Sequence, residues 1–160
     1  MNKNQETKEK ICTFFVSDYH FEMLSLPYID RKLNNGTDVI VLTENNLEDT
    51  VDKVLSTVNL KEEEKEKIKN INWKNEDVDK FRKIKYNSEN KKQMVIFIKG
   101  KENYIKNINQ NIEKWTLGAN NIEVVDCYDL EETAEKMNEL LKNYNKILKT
   151  TGEVDIKKLK

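Results

Sequence analysis

Ile11-Cys-Thr-Phe-Phe-Val-Ser-Asp-Tyr-His20, running on through Phe21 to Leu33 and Asn34-Asn-Gly36 into Asp38-Val-Ile-Val-Leu-Thr-Glu44, is the stretch whose reading decides the fold. Ile11 to Ser17 is a nearly continuous apolar run of aromatic and β-branched residues, the pattern of a strand buried on both faces. Ser17 to His20 supplies turn and N-cap residue types. Phe21, Leu24, Leu26, Tyr28, Ile29 and Leu33 then recur at helical spacing. Pro27 lies inside that helix and removes one backbone donor, so a kink or restart is expected there. Asn34-Asn-Gly36 closes the helix, and Asp38 to Thr43 is a second buried strand.

Outward from this strand-helix-strand unit the grammar repeats. Leu47, Val51, Val54, Leu55 and Val58 share one helical face, and Lys61 to Asn70 is a charge-dense exposed helix. Ile71-Asn-Trp-Lys74 is read as a short third strand and Asp77 to Asn90 as a helix. Met94 to Ile98 is a clear strand, followed by a helix carrying Tyr104, Ile105, Ile108, Ile112 and Trp115. A turn at Gly118 to Asn121 leads to the strand Ile122 to Val125, with Asp126-Cys-Tyr-Asp129 as its exit. Leu130 to Leu148 is expected to form the longest helix. Strands alternating with helices demand parallel pairing, which predicts an α/β three-layer α-β-α sandwich. Its mostly parallel sheet would have four to five strands, RecA-like or Rossmann-like. The expected organisation is a disordered segment 1–10, a single α/β domain 11–149 and a C-terminal tail 150–160.

A chain of 160 residues is enough for one such core, which buries about 70% of the surface the unfolded chain exposes. The charged fraction is 36%, yet 28 basic residues stand against 29 acidic ones, and the net charge is -1. This balance lacks the basic field of a polyanion binder, so no nucleic-acid partner is expected. Cys12 and Cys127 lie in apolar runs and form no disulfide framework. With one histidine and no CxxC pair, no metal site and no cofactor are expected. The first residues lack the apolar core of a signal peptide, and no run reaches the roughly 20 apolar residues of a membrane span. A cytoplasmic protein with no membrane partner is the expectation.

In an open parallel sheet, ligands sit beyond the carboxyl ends of the strands, where loops diverge and helix N-termini point amides outward. The candidates are therefore Ser17, Asp18, Tyr19 and His20; Thr43, Glu44 and Asn45; Lys99, Lys101 and Glu102; and Asp126, Tyr128 and Asp129. Such residues are also ordinary in turns. Asp18, His20, Glu44, Lys99, Lys101 and Asp129 are taken as the ligand-binding set, with no catalytic residue assigned. The glycines at 36, 100, 118 and 152 form neither GxxxxGK[ST] nor GxGxxG, which argues against nucleotide hydrolysis and dinucleotide-dependent hydride transfer. Gly100 between two lysines is a weak anion-binding signal. Cys12 starts a buried strand, and Ser17 has no nucleophile elbow. His20 with Asp18 or Glu44 is the general acid/base set a hydrolase or transferase would use.

Several stretches together resemble the MEDS sensory domains, which look like RecA or KaiC-type folds without the phosphate-binding loop. They are Ile11-Cys-Thr-Phe-Phe; Leu26-Pro-Tyr-Ile-Asp-Arg-Lys-Leu-Asn-Asn-Gly36 leading into Asp38-Val-Ile-Val-Leu; Asn72-Trp73; and Cys127-Tyr128-Asp129. The likeness spans most of residues 10 to 148. It departs at Lys10, where such domains carry a histidine, and in the more charged middle region. It implies a ligand-sensing or regulatory role and transfers no catalytic residue. The leading expectation is thus a non-enzymatic regulatory domain whose partner is a small-molecule ligand or a signalling protein. The alternatives are the His20 enzyme, or an interaction module working through the charged segment 61–85.

Overall fold

The computed structural model describes residues 10–75, 78–116 and 119–159. The expected disordered start, apart from Lys10, the helix start at Asp77 and the turn residue Gly118 lie outside them.

The chain begins as the leading stretch reads, with β1 (Ile11–Phe15), α1 (Asp18–Asn34) and β2 (Asp38–Thr43). Ser17 Oγ caps α1 by accepting the His20 amide. At the other end, the Thr37 amide donates to Lys32 O and the Gly36 amide to Leu33 O, with Gly36 at φ 81°. This left-handed position is the one glycine takes without a Cβ penalty. Helices α2 (Glu48–Leu55), α3 (Glu62–Lys69) and α4 (Val78–Asn90) lead to β3 (Met94–Gly100), α5 (Glu102–Trp115) and β4 (Ile122–Asp129). Short helices α6 (Leu130–Thr133) and α7 (Met137–Leu141), joined by a 3-10 turn, precede β5 (Lys146–Lys149) and β6 (Gly152–Asp155).

These strands form one sheet in the order β2-β3-β4-β1-β5-β6, parallel except for the terminal β5-β6 pair. The α/β sandwich with a mostly parallel sheet is as expected, with six strands instead of four or five. In the dinucleotide-binding order 3-2-1-4-5-6, the first strand sits between strands 2 and 4. Here β1 lies between β4 and β5. Alternate residues of each strand feed two cores. Ile11, Phe15, Val41, Phe97 and Val125 pack under α1, α2 and α3. Cys12, Phe14, Ile96, Ile98 and Tyr128 pack under α4 and α5, with Met137 and Leu140 of α7 against them. β2 is an edge strand, and the buried Lys80 donates its ammonium to Val41 O at 2.7 Å, covering part of that edge. Among the described residues no helix is long and apolar enough to cross a membrane.

Four local expectations are corrected. Pro27 neither ends nor restarts α1, which is one helix from Asp18 to Asn34. Ile71 to Lys74 forms no strand. Trp73 is instead a plug, 2% exposed, donating Nε1–H to Ile68 O and accepting the Leu47 amide. The long helix at 130–148 is two short helices and then a strand, since Ile147 and Leu148 enter the sheet beside β1. Asp126 to Asp129 is the last half of β4 and no exit loop.

Candidate functional site

Parallel pairing brings the carboxyl ends of β1 to β4 to one edge, with Thr43, Lys99, Cys127 and Thr13 in one row across the sheet. Lys99 and Phe97 alternate onto the α1 face, so the Lys99 side chain runs beneath the start of α1, with only 4% of it exposed. A desolvated ammonium needs compensation. Asp18 Oδ1 lies 2.8 Å from Nζ, Asn45 Oδ1 3.0 Å, and the rings of Phe15 and Phe21 are centred 4.6 and 5.5 Å away. Asn45 closes the triangle by donating Nδ2–H to Asp18 Oδ2 at 2.9 Å, while Thr43 Oγ1 holds the Asn45 turn. The start of α1, the loop after β2 and the end of β3 are thereby tied through one cation. Val16 and Tyr19, exposed at 64% and 60%, border Asp18 in the chain.

Glu44 and Lys101 meet differently. The Glu44 carboxylate accepts the Lys101 backbone amide, and the Glu132 carboxylate accepts the Glu102 amide at 3.0 Å. Two of the four orphan donors at the start of α5 are therefore occupied by the protein's own carboxylates, in the place where an anion would bind a helix N-terminus. Gly100 makes this closure possible. A Cβ there would lie 2.5 Å from Glu44 Oε1 and 2.7 Å from Tyr104 Cδ2.

The remaining expected residues have local partners. His20 Nδ1 accepts the Val16 amide at 2.9 Å, which turns that nitrogen away from Asp18 and Glu44. Asp129 caps α6 by accepting the Glu131 amide at 2.9 Å. Of the six expected residues, Asp18 and Lys99 form one cluster, Glu44 and Lys101 a second, and His20 and Asp129 act as turn and cap. Among the described residues no group of three His, Cys, Asp or Glu could hold a metal ion. Burial pushes the Cys12 thiol up to about 12 and also raises that of Cys127, so both stay protonated at neutral pH.

Two buried polar sites lie apart from the six residues taken as the ligand-binding set: Asp126 and Tyr128 stand among the strand-end candidates, and Glu22 does not. On the α4-α5 face, buried Asp126 accepts from Asn109 Nδ2 at 2.9 Å and Tyr144 OH at 2.6 Å, and Tyr144 OH meets Tyr128 OH. Burial raises its carboxyl to about 6, against the lowering effect of those two hydrogen bonds. On the α1 face, Glu22 is fully buried and takes a hydrogen bond from Thr50 Oγ1. Sequence signals for both exist. Glu22 stands four and seven residues before the core residues Leu26 and Ile29, and Asp126 alternates with Val124 and Tyr128.

No protein-family model matches the sequence, and no curated protein and no solved structure matches it either.

Proposed function

We propose that this chain is a regulatory or sensory α/β domain of the MEDS kind, which binds a small ligand at the carboxyl edge of its sheet and reports it to a protein partner. The observation that carries the reading is the closed triangle of Asp18, Asn45 and Lys99. A ligand that takes over one corner releases the other two, and each belongs to a different element: the start of α1, the loop after β2 and the end of β3. Binding is thus converted into movement between these elements at an edge where Val16 and Tyr19 offer exposed apolar contact to a partner. The Glu44 and Glu132 carboxylates on the first two amides of α5 speak against a role in holding nucleotide phosphates. An enzyme using His20 finds less support, because its Nδ1 is committed to the Val16 amide and Asp18 to Lys99.

A thermal-shift screen against nucleotides, small organic acids and common metabolites tests the proposal. Ligand at ~100 times its dissociation constant stabilises the fold by about 2.7 kcal/mol. The expected hit is lost in Asn45→Ala. A hit that survives Asn45→Ala and Asp18→Ala, or turnover abolished by His20→Ala, would overturn it.

A further inference from the structure

A cavity lies away from the strand-end triangle, on the same face of the sheet. It measures about 420 Å³ and is walled by α1, the 58–60 connection after α2, and the turn between β5 and β6. Most of its wall is apolar: Met23, Leu26, Pro27, Val58, Leu60 and Leu148. Such a volume is in the usual range for a small-molecule site. Glu22 also lines it, 0% exposed, and its two carboxylate oxygens are not equivalent. Oε2 accepts from Thr50, whereas Oε1 is buried without a hydrogen-bond partner among the described residues. One turn on, Ser25 Oγ is buried and equally unpartnered.

A buried carboxyl oxygen with no donor is costly, and the cost is largest when the group is ionised. Apolar walls do not relieve it. From these observations we infer that the cavity is a binding site for a small primary amine with a compact apolar body, its ammonium donating to Glu22 Oε1. The ammonium supplies the missing donor and the compensating charge together, and a charge-assisted bond in a desolvated setting is about twice as strong as a neutral one. Apolar carbon then fills the space between Pro27, Leu60 and Leu148. Among the described residues the neighbouring cations do not take this place: Arg31 is exposed and stacks over Tyr28 at 5.6 Å, and Lys149 is exposed. Lys99 acts on Glu22 only at a distance and is held by Asp18 and Asn45.

The test is a titration of the ¹⁵N-labelled full chain at pH 7 with n-hexylamine, n-hexanol and hexanoate, three probes of equal apolar length. The site predicts saturable amide shifts at Glu22, Thr50 and Leu60 with hexylamine, binding at least about tenfold weaker for hexanol, and none for hexanoate. In Glu22→Gln the amine falls to the affinity of the alcohol. Should that variant fail to fold, Leu60→Trp fills the cavity with Glu22 intact and abolishes amine binding. Equal affinity for all three probes, no saturable shift with hexylamine, or undiminished amine binding in Leu60→Trp would each overturn the assignment. Asp18 and Asn45 are unaltered in these variants, so this outcome is independent of the strand-edge proposal.

Discussion

Lys99 and Asp18 form an ion pair whose halves are unequally placed: the lysine side chain is 4% exposed and the aspartate 36%. Removing each half should therefore cost different amounts. Asp18→Ala leaves a buried ammonium with Asn45 and two aromatic rings, a loss of about 3 kcal/mol, whereas Lys99→Met leaves a carboxylate that water reaches, about 1 kcal/mol. Urea melts of the two variants check the asymmetry, and equal losses would contradict it. Asp126 makes a pH prediction. Its folded pKa is raised from 3.8 to about 6, so the native state holds a proton that the unfolded chain releases between those values. The stabilisation is complete below the unfolded pKa and disappears as pH rises through about 6. Relative to Asp126→Asn, the protein should lose up to ~3 kcal/mol between pH 4 and pH 7.5, with Tyr144, Tyr128 and Lys10 as the neighbouring polar groups. A difference that stays flat with pH would refute the buried carboxyl. At this scale, the strand-end rule found Asp18, Asn45 and Lys99, because a polar residue after an apolar strand has few places to go. It also named Asp126, though as part of an exit loop and outside the ligand-binding set, and it passed over Glu22, since an acidic residue inside an apolar face reads as an exception until its hydrogen-bond donor, far away in the chain, is known.

The junction of β3 and α5 is the element on which the closed edge depends. A methyl group at Gly100 meets the Glu44 carboxylate and the Tyr104 ring. Gly100→Ala should cost about 1–2 kcal/mol and free the Lys101 amide to exchange with solvent. Adding Glu44→Ala to it should restore part of that loss, because the two changes share a contact. Hydrogen exchange at Lys101 and the double-mutant cycle test this together; strict additivity would mean that Glu44 is not what Gly100 accommodates. Where elements were legible, the reason was length and periodicity: β1, β2, β3 and α5 each show an uninterrupted pattern, and in α1 the apolar spacing runs on past Pro27. The stretch 130–148 failed as a helix because Leu140, Leu141, Ile147 and Leu148 fit helical spacing, while Lys142 and Asn143 between them form a turn. Pairing with β1 then decides that Ile147 and Leu148 extend the sheet. Ile71 to Lys74 was too short for any period, and the indole of Trp73 took it into the core as a plug.

For the molecule as a whole, the terminal hairpin joins the two cores. Leu148 packs in one and Ile147 in the other, Thr13 Oγ1 donates to Leu148 O at 2.7 Å, and β6 pairs along β5 from Gly152 to Asp155. Residues 150–160 read as a tail because Lys, Thr and Gly dilute their apolar content. Deleting them should nonetheless lower stability by about 2 kcal/mol, as half-buried Val154 and Ile156 leave the α4-α5 core. In a domain of this size the melting temperature should fall by roughly 5 °C; an unchanged melt would identify a free tail. The fold class followed from alternation of strands and helices. The strand order did not, since it depends on crossovers that no local pattern encodes.

The measurement that tests the account most directly is an amide-shift map of the ¹⁵N-labelled protein with a compound that raises its melting temperature in the metabolite screen. The closed strand edge predicts that the perturbed amides gather at Ser17 to Tyr19, Glu44 to Asn46 and Lys99 to Lys101, three segments moving together as the Asp18–Asn45–Lys99 triangle opens. Perturbations gathered instead on α3 and α4, with those three segments unmoved, would contradict it.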